Sequence, residues 1–460
     1  MVARFFRRKS IELSALENET GLKRSLSALD LTLLGVGGII GAGIFVLTGQ
    51  AAALHAGPAI MLSFIIAGIA CGLAAYCYSE LASMIPVAGS AYTYAYVAFG
   101  EIIAWVIGWA LILEFSLGAA TVAIGWSGYL VSFLDMFGIY IPHYLSTAFT
   151  VDKTGGINLP AGIIVMLLSW FLARGIKVSS ILNMIVVAIK VAVILLFVFS
   201  AAGYIDTANY KPFMPFGFNG VVTGAAVIFF AYIGFDIVAT LAQETKNPQR
   251  DVPRGIMGSL GICTILYLAV AIVLVGVIPY TELNVPAPIA TALDHINMGV
   301  LSPMIKFGAI AGLTTAMMGL LLGQNRIFYA MGRDGLLPAW TARISPRTGT
   351  PVITTWVVGT VVALIASLSP INKVSELVSI GTLFAFTIVC GGVLVLRYTQ
   401  PNIQRLFKVP FSPVFPVLGV LANLYLMIGL PATTWKYFAI WGVMGLLVYF
   451  IYGRRNQNIA

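Results

Sequence analysis

Residues 38–45 read GIIGAGIF, three glycines in eight positions of an otherwise apolar run, with Gly35 and Gly37 just upstream. A backbone unwound there presents N–H groups at the start of a helical segment. Those donors, added to the helix dipole, suit an anion such as a carboxylate. The competing reading is helix packing, because Gly37 and Gly41 make a GxxxG step. A phosphate-cradling loop does not fit, since no Lys-Ser/Thr follows and no strand precedes. Four ionisable residues share such apolar surroundings: Glu80, Glu114, Lys190 and Asp236. A charge at the centre of a membrane helix costs roughly 2.5–3.5 kcal/mol on insertion scales, so each needs a reason. Lys190 sits in MIVVAIKVAVILLF, with Asn183 two turns earlier on the same face as its one local polar neighbour. A lysine taken out of water can give up its proton near neutral pH. We read it as a proton carrier. The alternative is a permanently charged lysine bonded to backbone carbonyls of the first apolar run. Glu114, in GWALILEFSLGAA, is either a second protonatable group linked to Lys190 or a protonated carboxyl that packs helices. Asp236 follows Gly234 and reads as an N-terminal cap of the next helical segment, with a gating carboxylate as the other reading. Glu80 lies near the end of its apolar run and reads as interfacial.

These residues need a scaffold of membrane spans. The chain has 460 residues, 59% hydrophobic and 9% charged. Soluble domains carry about 25% charged residues, so the composition excludes that class. Twelve apolar segments are read at 29–54, 59–81, 99–130, 160–172, 178–201, 217–242, 256–278, 303–329, 352–368, 374–396, 416–430 and 437–452. Most reach the ~20 residues that a bilayer requires. The first ~28 residues are polar and of mixed charge, so the first apolar run reads as a span rather than a cleaved leader. With both termini placed inside, Lys and Arg divide 20 to 5 between inner and outer segments, Lys190 being the remaining one of 26. That asymmetry fixes an inner-membrane orientation with cytoplasmic termini. Tyr and Trp gather near span ends, as at Trp340, Tyr398, Trp435 and Tyr437, in an interfacial belt. The four cysteines lie inside apolar runs and read as small core residues.

The sixth segment repeats the oddity of the first. It reads VIFFAYIGFDIVATLAQET, with Gly234 beside Asp236 near its middle. Glycine-interrupted segments at matching places in two halves point to a binding site between them. Segments one to five and six to ten would form those halves. An odd number of spans per half gives them opposite orientations. The chain then divides into an N-terminal tail (1–28), a first repeat (29–202), a second repeat (216–397), two appended spans (414–453) and a C-terminal tail (454–460).

Several stretches are similar to a known family. LTLLGVGGIIGAGIF, AGPAIMLSFIIAGIACGLAAYCYSELASMIPVAGSAYTY, FFAYIGFDIVATLAQETKNPQRDVPRGI and RIFYAMGRDGLLP resemble the amino acid–polyamine–organocation superfamily. Within it they look most like bacterial members of the cationic amino acid transporter family. The resemblance implies an all-α LeuT-type fold of twelve transmembrane helices, with a 5+5 inverted repeat, broken helices 1 and 6, and alternating access. It implies a site built from Ile39, Ile40, Gly41, Ala42, Gly43 and Ile44 in the first span and Phe230, Ala231 and Ile233 in the sixth. The amides of Ala42 and Gly43, with Ile44, would meet a carboxylate. The carbonyls of Ile39, Phe230 and Ile233 would meet an ammonium. It also places a fifth-span lysine against the unwound first helix of proton-coupled relatives, which matches Lys190. Ala42 departs from the Ser or Thr of many relatives, and Gln243 replaces one of a common acidic pair.

The implied function is uptake of L-amino acids, small neutral or cationic, driven by the proton gradient and needing no cofactor. An exchanger or a sodium-coupled symporter of the same fold is the alternative. Met317 or Met318, in AGLTTAMMGLL, would shorten a side-chain pocket if it faced the site; ordinary packing is the competing reading. Thr314 and Thr315 could ligate sodium, but a nearby Lys190 charge would repel it. A membrane enzyme would need clustered His, Cys or carboxylates, and His55, His143 and His295 are scattered. Expected partners are the amino acid, the proton and lipid. Nucleic acid is not among them, and an accessory membrane subunit is left open.

Overall fold

A computed structural model describes residues 8–9, 26–85, 90–149, 155–175, 180–241, 245–405 and 407–453. Asn183, Ile237 and Thr240 are described in backbone only, and Gln243 lies outside the described residues. Among the described residues every regular element is a helix, apart from two isolated backbone bridges. Lipid gives no partners to backbone groups, so a spanning chain satisfies them within helices. Seven helices are long and apolar enough to cross a membrane, and five more are shorter and apolar. The chain is a helical membrane protein.

The first predicted span is broken in two. Helix α1 (Ala28–Ile39) ends where Ile40 turns to an extended conformation, with ψ 100°. Helix α2 begins at Gly43 and winds as a π-helix over Gly43–Leu47 and again over Ala52–Ala56, with an α turn between. After it come α3 (Ile60–Met84), α4 (Ser90–Phe99), α5 (Glu101–Asp135), α6 (Leu159–Ala173) and α7 (Ser180–Ala201). The sixth predicted span is broken as well. Helix α8 (Gly217–Ile228) tightens to a 3-10 turn over Phe229–Tyr232, and the short α9 (Phe235–Thr240) resumes after Gly234. The remaining spans are α10 (Pro248–Val277), α11 (Leu301–Arg333), α12 (Val352–Leu368), α13 (Ile371–Thr399), α14 (Val414–Ile428) and α15 (Ala432–Val448).

Helices α11 and α13 both pack along α5. Helix α10 packs on α1 and α3, and α7 bridges α1 and α11. The two broken helices are therefore enclosed between α3 and α10 on one side and α5 and α11 on the other. Near the start of α11, Lys306 is 1% exposed and its ammonium meets Asp294 at 2.6 Å.

Glu80 lies in the last turns of α3 and is sealed from solvent. It is 1% exposed, and its carboxylate takes both the Nε and an Nη of Arg397 and the backbone N–H of Val409. The end of an apolar run need not be wet: the segment leading into α14 folds back over it. The four cysteines are free and buried, as expected of small core residues.

Candidate functional site: a cavity between two broken helices

The breaks face each other. A Cβ on Gly43, the first residue of α2, would lie 2.3 Å from the Cα of Ala231. Gly234, the residue before α9, has φ 121° and lies so close to Gly38 that a Cβ would fall 2.5 Å from its carbonyl carbon. Each break is thus pressed against the other with glycine at the contact. A side chain at either place would drive the helices apart.

A broken helix leaves carbonyls without the N–H one turn on. Two side chains supply donors here. The Lys190 ammonium donates to the carbonyl of Gly37 at 2.8 Å and to that of Ile40 at 2.9 Å, and the residue is 1% exposed. The Tyr267 hydroxyl, from α10, lies 2.9 Å from the Ile39 carbonyl oxygen and 2.7 Å from that of Ala231. It carries one proton and serves one of them at a time. Lysine and tyrosine together hold both breaks open at their carbonyl ends.

At the other side of the first break the amides are free to act. Ala42 is the N-cap of α2 and Gly43 and Ile44 are its first residues, where N–H groups have no intrahelical acceptor, and Phe45 already makes the long 3.4 Å bond to Gly41. The Phe45 carbonyl is bonded in turn by the buried Tyr129 hydroxyl at 2.7 Å. The residue before α9 is Gly234, and Asp236 lies in the first turn of that helix, where its carboxylate accepts from the Gly234 N–H at 3.2 Å.

Between the breaks, α5 and α11 lies a cavity of about 350 Å³. Gly37, Gly38, Ile39, Gly41, Ala42 and Gly43 form one wall, with Phe230, Ile233, Gly234 and Asp236 facing them. Phe115 and Val122 of α5 and a strip of α11 from Thr315 to Ile327 complete it. It extends past Leu26, Leu241 and Arg326, toward the end of the bundle rich in Lys and Arg.

Most of the expected residues meet here: Ile39, Gly41, Ala42, Gly43, Phe230, Ile233 and Asp236 all line the cavity. Ile40, Ile44 and Ala231 do not. The carbonyls of Ile40 and Ala231 are turned to Lys190 and Tyr267, and the Ile44 side chain is fully buried. The Phe230 carbonyl accepts from the Ile233 amide at 3.1 Å, closing the 3-10 turn, with a second lone pair to spare. Met317 and Met318 do not line the cavity either. Residues advance about 100° each around a helix, and the cavity face of α11 carries Thr315, Ala316, Gly319, Leu320 and Gly323. Met317 is 0% exposed, packed into the interior. Thr314 also points away, donating to Ile310 and accepting from the Trp126 indole. Lys190 stands behind the α1 wall.

Glu114 is 3% exposed and lies against α13, with one carboxyl oxygen free of partners among the described residues. It does not line the cavity. Sequence reasoning missed Tyr267, Phe115, Val122, Gly319 and Arg326. A buried tyrosine needs a partner for its hydroxyl, which was the one signal available for Tyr267. The others are ordinary span residues until the helices are placed.

The profile of the amino acid permease family matches residues 26–451, nearly the whole chain and both breaks. The chain belongs to that family. As a member of the amino acid permease family, within the amino acid–polyamine–organocation superfamily, it has close relatives in bacteria. The methylthioribose transporter of Bacillus subtilis (strain 168) is 46% identical over 453 residues, 98% of each chain. The branched-chain amino acid permease BcaP of the same organism is 46% identical over 459 residues, 99% of this chain and 98% of the relative. Human cationic amino acid transporter 4 is 40% identical over 405 residues, 86% of this chain and 63% of the relative. The family and the names of these relatives indicate a transporter rather than an enzyme.

Proposed function

We propose that this permease is a proton-coupled importer of neutral L-amino acids, with Lys190 as the proton carrier. The observation that carries the reading is the Lys190 ammonium on the carbonyls of Gly37 and Ile40, at the break that also presents the amides of Ala42 and Gly43. Loading and unloading one proton on Lys190 changes its hold on those two carbonyls. The same break would hold the substrate carboxylate, so proton and substrate act on one piece of backbone. The substrate ammonium would meet the carbonyls of Ile39, Phe230 and Ile233. Glu114 is the second protonatable group of this scheme.

Neutral side chains are favoured by the walls: Phe115, Val122, Phe230 and Leu320 are apolar, and Asp236, the acidic residue at the cavity, is already bonded to the Gly234 N–H. The name of BcaP points the same way. Sodium coupling is disfavoured because both Thr314 and Thr315 donate to their own helix and the Lys190 charge stands close to the break. An exchanger would have no use for a titrating lysine. We place the chain in a LeuT-type fold of twelve spans in the plasma membrane, termini cytoplasmic, with repeats at 29–202 and 216–397 and appended spans at 414–453. The cavity then opens inward.

A second reading rests on the other relative at the same identity: the substrate could be a neutral thiosugar such as methylthioribose. That molecule has no carboxylate or ammonium, and the paired amide and carbonyl breaks would then serve hydroxyl groups. Uptake into proteoliposomes decides. Labelled leucine, alanine, lysine and methylthioribose are offered under an inward proton gradient, a sodium gradient and neither, and again with Lys190→Ala. Proton-driven leucine uptake that the variant loses supports the proposal. Uptake driven by sodium, or only against preloaded amino acid, overturns it.

A further inference from the structure

The strip of α11 that lines the cavity ends in a charge that neither break uses. Ala316 faces the first break, where a Cβ on Gly41 would come within 3.2 Å of its methyl group. Gly319 and Gly323 follow on the same face, and Arg326 follows them. Ten residues of helix rise about 15 Å, so Arg326 stands about that far from the break, at the end that also holds Leu26 and Leu241. It is exposed, and among the described residues it makes no ion pair or hydrogen bond. Among the residues lining the cavity it is the basic one, since the Lys190 head is turned to the carbonyls of α1. Asp236, the acidic one, sits at the break with the Gly234 amide.

We infer that Arg326 forms a second carboxylate site, taking the carboxyl group of the substrate after it leaves the amides of Ala42 and Gly43. This rests on reading the cavity as an amino acid path. A carboxylate that leaves a helix N-terminus loses its donors while the walls around it are apolar. A guanidinium offers a two-pronged match to that group, and low-dielectric walls focus its field along the cavity. Being exposed, it holds the anion weakly, as suits a point of release. The site acts on the inner face, where it sets the affinity for leaving or re-entering substrate, and leaves the affinity of the outer face alone.

The test uses the full-length protein, oriented in proteoliposomes, with leucine offered from either face. Arg326→Gln is expected to raise inner-face half-saturation by up to about fivefold, the scale of one charge-assisted pair at an exposed site, and to leave the outer-face value unchanged. Arg326→Lys, which keeps the charge without the fork, falls between. A separate readout uses 4-methylpentanoate, which is leucine without its amine. It should inhibit from the inner face and raise the melting temperature of the purified wild-type protein, and both effects should weaken with Arg326→Gln, which keeps only the amides of Ala42 and Gly43 for a carboxylate. Unchanged inner-face half-saturation, or equal shifts on both faces with the carboxylate effect intact, would overturn the assignment. If the wild type moves no amino acid, the proposed function fails. The melting assay then still decides whether Arg326 binds a carboxylate.

Discussion

Gly234 rests on Gly38: a Cβ at Gly234 would lie 2.5 Å from the Gly38 carbonyl carbon and 2.6 Å from its oxygen. Its φ of 121° is also one that side chains avoid. Conformational strain alone costs about 1–3 kcal/mol, and the contact adds to it because both partners are backbone. Gly234→Ala is expected to lower the melting temperature and abolish most uptake. Gly261→Ala, on α10 with open space around it, is expected to do neither.

Lys190→Met removes the donor to two carbonyls in a dry environment. Losing a charged hydrogen bond there costs about 1.5–3 kcal/mol. The purified variant should melt lower than wild type. In proteoliposomes, wild-type uptake should rise as the outer solution is made more acidic, because protons then drive entry. Uptake by the variant should stay flat. A variant that still accumulates substrate against its gradient would remove Lys190 from the coupling step.

Tyr267→Phe keeps the ring and deletes the hydroxyl shared by Ile39 and Ala231. One buried carbonyl at a time loses its donor, at about 1–3 kcal/mol. Since those carbonyls belong to the two breaks, uptake should fall along with stability. Tyr232→Phe is the control. Its hydroxyl donates to Phe64, away from the breaks, so its stability cost should come with nearly normal substrate affinity.

Gly319 lines the cavity, and a Cβ there meets nothing within 4 Å. Larger residues can grow into the space without moving a neighbour. Gly319→Val is expected to raise the KM for leucine about tenfold while changing that for alanine much less, since pocket volume discriminates by about 1–3 kcal/mol per methylene. Equal effects on both substrates would mean that the side chain lies elsewhere.

Glu80→Gln tests the buried ion pair at the C-terminal end of α3. Removing one partner of a fully buried pair costs about 3–5 kcal/mol. Arg397 is 25% exposed, so the loss should be smaller. Melting should fall, and Glu80→Gln combined with Arg397→Gln should recover part of it.

Much of this was legible beforehand because lipid imposes it. A bilayer demands apolar runs of fixed length, so span positions could be read from hydropathy. The glycines of GIIGAGIF and the Gly234–Asp236 pair marked both breaks, because unwound backbone in lipid needs glycine at the close approach and polar partners nearby. Lys190 stood out because an intramembrane charge is costly. Carbonyls of the first span were already one reading for its partners, but which carbonyls it meets was open. The face of α11 was also open: Thr315, Ala316 and Gly319 line the cavity while Met317 and Met318 do not. An apolar helix carries no polar face to orient it.

The sequence by itself determined the helical membrane class, the two broken spans and the charges that had to be explained. It did so because hydrophobic length, glycine and buried charge act locally along the chain. Only the tertiary structure decided that Lys190 meets Gly37 and Ile40, that Tyr267 joins Ile39 to Ala231, and that Glu80 is sealed by Arg397. Those bonds link residues from 36 to 317 positions apart. Which apolar helix faces which is settled by packing, and packing leaves no period in the sequence.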